Sequence, residues 1–196
     1  MASIPAKQEL DMLAAERGRA LPKVLLAAAE CAPLAKTGGL ADVVGTLPKY
    51  LKKLGVDARV MVPYHRIIKD KYGSRVEYLF SFKISLGWRR KFAGVNRLML
   101  DNTCIWLIEN DEYFGGPIYQ PDREGEQYAF FTRAVLEALP KLDFIPDVIH
   151  CNDWHTGMLP LLLKTQYLDS PLAGTKTILT IHNIAYQGQF AREKMF

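Results

Sequence analysis

The stretch KVLLAAAECAPLAKTGGLADVVGTLPKYLKKLGVDARVMVP, residues 23–63, decides the fold. Lys23–Ala29 is an unbroken apolar run between a proline and a turn. That is the pattern of a strand buried on both faces, as in a parallel sheet. A Gly-Gly pair follows at 38–39. Leu40–Leu54 then places apolar residues at 40, 43, 44, 47, 51 and 54, a helical period. Pro48 inside this segment is expected to kink or split the helix, and Gly55 stands where helices stop. Asp57–Pro63 reads as a second strand. Strand, glycine-containing loop, helix and strand make a βαβ unit.

Beyond it the pattern first turns to β-structure. Val76–Leu86, Phe92–Leu100 and Cys104–Glu109 are β-rich runs, with Asp101-Asn102 as a tight turn between the last two. They predict an antiparallel meander inserted in the sheet or added at its edge. Gly125–Leu142 is helical, Asp147–Cys151 a short buried strand, Met158–Leu168 a helix and Thr177–Ile181 another buried strand. Strands alternating with helices predict an α/β, Rossmann-like domain with a mainly parallel sheet, flanking helices and an antiparallel strand insertion. Residues 1–21 are expected to be a leader, tail or helix ahead of the domain at 22–196. A doubly wound sheet would continue beyond Ile181 into another helix and strand, so the reading expects a domain truncated at its C-terminal side.

Composition narrows the function. The chain has 196 residues, 49% of them apolar and 23% charged, which suits roughly one globular domain. Its net charge of +4 is scattered, unlike the clustered basic footprint of a nucleic-acid binder. No apolar run reaches the roughly 18 residues of a membrane span, and the first residues lack a secretory hydrophobic segment. Cys31, Cys104 and Cys151 form no CxxC pair, so neither a zinc knuckle nor a disulfide scaffold is indicated. A cytoplasmic setting is the expectation, with no metal or cofactor called for.

In open α/β sheets ligands bind beyond the C-terminal ends of the strands, so the residues following each strand are the candidates. After the first come Lys36-Thr37-Gly38-Gly39, just before a helix. Two glycines let a backbone approach a ligand closely, and the helix start adds unpaired N–H groups that suit a pyrophosphate. The alternative is that Gly-Gly merely makes the turn. The loop is neither GxGxxG nor GxxxxGK[ST], so no dinucleotide fingerprint or P-loop is present. The second strand runs into Pro63-Tyr64-His65. Asp153 and His155 bracket Trp154 after the strand at 147–151. Asp153 could equally cap the following helix, and His155 could be a core histidine. His182-Asn183, at the mouth of TILTI, has fewer structural duties and can hydrogen-bond a sugar hydroxyl. Tyr113–Tyr119 (YFGGPIY) is an aromatic, glycine-containing loop that suits a carbohydrate ring or an ordinary surface turn.

These motifs together resemble bacterial glycogen synthases and plant starch synthases. The likeness begins at KVLLAAAECAPLAKTGGLADVVGTLPKYL, with its Lys-X-Gly-Gly-Leu signature at 36–40. It continues through DARVMVPYH (57–65), YFGGPIYQ (113–120), DVIHCNDWHTGMLPLLL (147–163) and TILTIHNIAYQGQF (177–190). The resemblance implies the N-terminal half of a two-Rossmann-domain, retaining glucosyltransferase, which moves glucose from ADP-glucose to the non-reducing end of an α-1,4-glucan. It implies that Lys36, Gly38 and Gly39 lie near the nucleotide-sugar phosphates. Asp153, His182 and Asn183 would surround the transferred glucose, with Asp153 and His182 catalytic. Tyr119 would lie in the same cleft and His155 behind it. Two departures stand out: Gly115-Gly116 where the family often has an Arg after Tyr-Phe, and Gln127-Tyr128 where it tends to have Arg-Phe. The second Rossmann domain is not in the sequence, so the chain alone is expected to be inactive or nearly so. A non-catalytic glucan-binding or regulatory module is the alternative, and a nicotinamide-dependent enzyme a more distant one.

Overall fold

A computed structural model describes residues 21–190. The leader expected at 1–21 lies outside the described residues except for Leu21. Seven strands form one sheet: β1 (Lys23–Ala27), β2 (Asp57–Pro63), β3 (Glu77–Leu86), β4 (Arg89–Leu100), β5 (Thr103–Glu109), β6 (Val148–Asn152) and β7 (Lys176–Thr180). The helices are α1 (Gly39–Lys53), α2 (Arg66–Tyr72), α3 (Asp111–Phe114), α4 (Glu124–Lys141) and α5 (Met158–Thr165).

The strand order is β3-β4-β5-β2-β1-β6-β7. β5, β2, β1, β6 and β7 run parallel, while β3 and β4 are antiparallel to their neighbours. The antiparallel meander that the pattern predicts is present at one edge of the sheet. β3 and β4 form the edge, but β5 turns back into the sheet to pair in parallel with β2. Alternation along a strand reports which faces are buried and not the direction of its neighbours.

The core follows the apolar runs. Leu25, Leu26 and Ala27 of β1 are wholly buried, as are Met61, Leu107 and Ile149 on the strands to either side. Fully burying a side chain of this size contributes roughly 1.5–3 kcal/mol. α1 buries Leu40, Ala41, Val44 and Pro48. It stays one helix through Pro48, so the proline does not split it. The proline forfeits a single backbone bond, while its ring lies on the buried face. Gly45 lets α1 approach the preceding loop, because a Cβ there would stand 2.2 Å from the Ala32 carbonyl oxygen. Gly55, at φ +87°, ends the turn beyond α1. Asp101 and Asn102 both adopt positive φ, the geometry of a two-residue hairpin turn.

β7 corrects a second expectation. Its composition is that of a buried strand, but Ile178, Leu179 and the adjoining Ile181 are 55%, 46% and 59% exposed. No described element covers its outer side.

Candidate functional site

The order of strands reverses between β1, the middle strand of the parallel set, and its neighbour β6. At such a switch point the loops leaving the two strands diverge and open a crevice. The loop after β1 carries Glu30 to Gly38, and the turn after β6 carries Asp153. β7, beside β6, leads into His182 and Asn183.

Gly38 sits at φ −149°, extended backbone open to any residue, and a Cβ on either Gly38 or Gly39 would meet nothing within 4 Å. Neither turn geometry nor packing calls for glycine here. What the pair leaves is open space in front of the first turn of α1, whose start has no side-chain cap. Uncapped N–H groups and the positive end of a 15-residue helix make a seat for an anion. Lys36 stands beside it, and its Nζ reaches both Asp42 carboxylate oxygens at 2.7 Å. Its charge is matched within the protein until an anion competes for it.

Glu30, which the sequence reading passed over, ties this loop to the aromatic one. Its carboxylate is buried at 2% exposure. It accepts from the Thr37 backbone N–H, from Thr37 Oγ1 at 2.6 Å and from the Tyr119 hydroxyl. Burial, then this bond to Glu30, pushes the Tyr119 phenol far above its ordinary range, so it stays a donor. The one available signal was an acidic residue placed directly after a wholly apolar strand.

From Tyr119 an aromatic wall leads across the site. Its ring lies 5.3 Å from His155, which is 4.1 Å from Trp154 and 4.5 Å from Tyr128. His155 is buried, and burial followed by the proximity of His65 lowers its pKa to about 3. It is neutral in the working range and packs behind the site. His65, at the end of β2, is held the same way: its Nε2 lies 2.9 Å from the Ala29 carbonyl, and burial lowers its pKa to about 4. Gly188, at φ +63°, seats the chain after β7 on Trp154, whose ring a Cβ would strike at 2.4 Å.

Asp153 does not cap a helix. It has φ 57° and ψ −178°, a region that non-glycine residues rarely occupy, and its side chain makes no capping bond. Its backbone N–H donates to the Thr180 carbonyl at 2.8 Å. Its Oδ1 accepts from the His182 N–H at 2.7 Å and the Asn183 N–H at 3.5 Å. Oδ2 has no hydrogen-bond partner among the described residues. His182 is half-buried, with Nε2 2.9 Å from Asn152 Oδ1. Asn183 is exposed and turns its Oδ1 to the Ala185 N–H at 3.0 Å.

Hydrogen bonds and ring contacts thus link the loops that carry the seven residues singled out for the site. The loop of Lys36, Gly38 and Gly39 connects through Thr37 and Glu30 to that of Tyr119, then through His155 and Trp154 to the turn of Asp153, which holds His182 and Asn183. The Gln127-Tyr128 departure also has a place. Gln127 Nε2 donates to the Tyr113 and Ile118 carbonyls at 2.9 and 3.3 Å, clasping the aromatic loop to α4.

Known proteins resemble this chain in sequence and fold. The family model described as starch synthase catalytic domain matches residues 23–196. Glycogen synthase of Geobacillus thermodenitrificans is 48% identical over 172 residues, covering 87% of this chain and 36% of that protein. Glycogen synthase of Streptococcus sanguinis is 46% identical over 170 residues, covering 86% and 36%. Among solved structures, the catalytic domain of starch synthase IV from Arabidopsis thaliana, bound to ADP and acarbose, superposes with a TM-score of 0.79 at 27% identity. It covers 89% of this chain and 36% of that one. The chain spans little more than a third of the length of these relatives, and over that span it belongs to the starch synthase catalytic-domain family.

Proposed function

We propose that this chain supplies the sugar-diphosphate-facing part of an ADP-glucose-dependent glucosyltransferase, one that extends the non-reducing end of an α-1,4-glucan with retention. The observation that carries the reading is the vacant room at Gly38-Gly39, before an uncapped helix start, joined through Glu30 and Tyr119 to the Asp153–His182 pair. The leaving group in such a reaction is a diphosphate. Backbone N–H groups and the positive end of α1 act where its charge develops, and they need no reorganisation to do so. Lys36 exchanges Asp42 for the phosphate. The sugar passes through an oxocarbenium-like state, which Asp153 supports with its carboxylate while His182, Asn183 and Tyr119 orient the ring through its hydroxyls. The ADP and glucan-like acarbose held by the Arabidopsis protein support this choice of substrates.

We further propose that residues 22–196 form the N-terminal Rossmann-like portion of the enzyme, with the nucleotide base and the acceptor completed by a second such domain. Three free cysteines fit a reducing, cytoplasmic setting. The test is a chimera in which residues 22–190 replace the matching third of the Streptococcus sanguinis enzyme. It is expected to transfer glucose from ADP-glucose to glycogen, to lose at least 100-fold in kcat on His182→Ala, and to leave the 196-residue chain alone without measurable turnover. A folded chimera that binds maltooligosaccharides but transfers nothing would instead favour a glucan-binding module.

A further inference from the structure

The Asn152 side chain is wholly buried between β1 and β6, and every one of its polar atoms is engaged. Its Nδ2 donates to the Ala27 carbonyl at 3.1 Å and to the His150 carbonyl at 3.0 Å. Both partners are carbonyl oxygens, which can only accept. A flipped amide would press Oδ1 against two acceptors, so the orientation is fixed by the backbone of two strands. Oδ1 is therefore an acceptor, and the group it meets, His182 Nε2 at 2.9 Å, must carry a hydrogen. The other ring nitrogen, Nδ1, has no partner among the described residues, and it is not sealed from solvent as the orphaned Nδ1 atoms of His65 and His155 are.

We propose that Asn152 is a positioning residue that locks His182 as the Nε2–H form, so that the neutral ring meets its ligand through Nδ1 as a hydrogen-bond acceptor. Such a nitrogen selects a group that can donate. A sugar hydroxyl qualifies, and a phosphate or carbonyl oxygen does not. The Asp153 carboxylate adds to this by fixing the His182 backbone N–H, so the ring is held at both ends of the residue. The lock stands on the amide geometry alone; the identity of the donor as a sugar hydroxyl rests on the function proposed above.

The experiment is nitrogen-15 imidazole NMR on the full 196-residue chain at a pH where the ring is neutral, with His182 assigned by the signal that vanishes in His182→Gln. The expected spectrum shows a solvent-protected proton on Nε2 and none on Nδ1. Asn152→Ala should lose that protection while the other three histidines keep their signals. Because this variant could unfold, the wild-type spectrum decides alone if its circular dichroism is not native. A proton on Nδ1, an Nε2 proton exchanging as fast as in a free imidazole, or protection unchanged in folded Asn152→Ala overturns the lock. ADP-glucose should then shift Nδ1, and ADP should not. If the Gly38 and Gly39 amides respond to ADP-glucose and Nδ1 does not, the hydroxyl assignment is overturned. If neither responds, the proposed function fails, and the lock is still judged on the ligand-free spectrum.

Discussion

Asp153 combines two demands that can be separated by substitution. Its backbone occupies a region suited to glycine, which costs of order 1–3 kcal/mol in other residues. Its carboxylate fixes the start of the His182-Asn183 segment. Asp153→Gly and Asp153→Ala both remove the carboxylate, but only glycine relieves the backbone. Urea unfolding should find the glycine variant more stable than the alanine variant by about 1 kcal/mol, and the reverse order would show that the strain is not there. The two buried histidines give the chain a pH dependence. An unperturbed imidazole titrates near 6.5, whereas burial lowers His65 to about 4 and His155 to about 3. A depressed histidine pKa means that the unfolded chain takes up protons first. The stability it confers is complete above pH 6.5 and drains away as pH falls toward the folded value. At pH 4 the loss is about 3 kcal/mol for each ring. Unfolding free energies measured between pH 7 and 4 should show this slope, and His65→Gln or His155→Gln should flatten it by about half. At this scale the sequence was legible where chemistry sits next to a strand end, as at His182. It was silent on Glu30 and Asn152, whose partners lie 89 and 125 residues away along the chain.

The loop from β1 to α1 shows what an element can be asked. Gly39 begins a helix, its φ lies outside the left-handed region, and nothing stands within 4 Å of where its Cβ would be. Gly39→Ala should therefore change the unfolding free energy by less than about 1 kcal/mol, in either direction. The same methyl group projects into the open space where the proposed diphosphate would sit, so the variant should bind ADP at least 10-fold more weakly by NMR titration. Equal affinity would mean that the glycine pair serves no ligand. Most elements could be read from period and punctuation: β2 spans the residues its pattern indicated, and α1 and α4 differ by a residue at their ends. The misses have physical causes. α2 and α3 are short amphipathic turns in linkers, below the length at which a period becomes visible. The meander itself was legible, but the parallel pairing of its last strand, β5, with β2, whose residues lie 45 positions earlier, is not encoded in the alternation of β5.

Over the whole molecule, two features pull apart. The β3 edge of the sheet bears charged and polar residues on its outer face, including Glu77, Ser81 and Lys83. The β7 edge presents Ile178, Leu179, Ile181 and, beyond them, Ile184, all more than 45% exposed. An open parallel edge with apolar faces on both sides favours self-association. The 196-residue chain should show concentration-dependent association in sedimentation velocity, and Ile178→Lys should suppress it; a chain that stays monomeric at high concentration would contradict this. The central claim is that loops from β1, β6 and β7 hold one sugar diphosphate between them. Amide chemical shifts recorded while ADP-glucose is added to the chain test it most directly. The account predicts that Thr37–Leu40 and His182-Asn183 move together along a single saturation curve, and that Gly39→Ala weakens both groups alike. Movement of one group without the other, or curves of different midpoint, would contradict it.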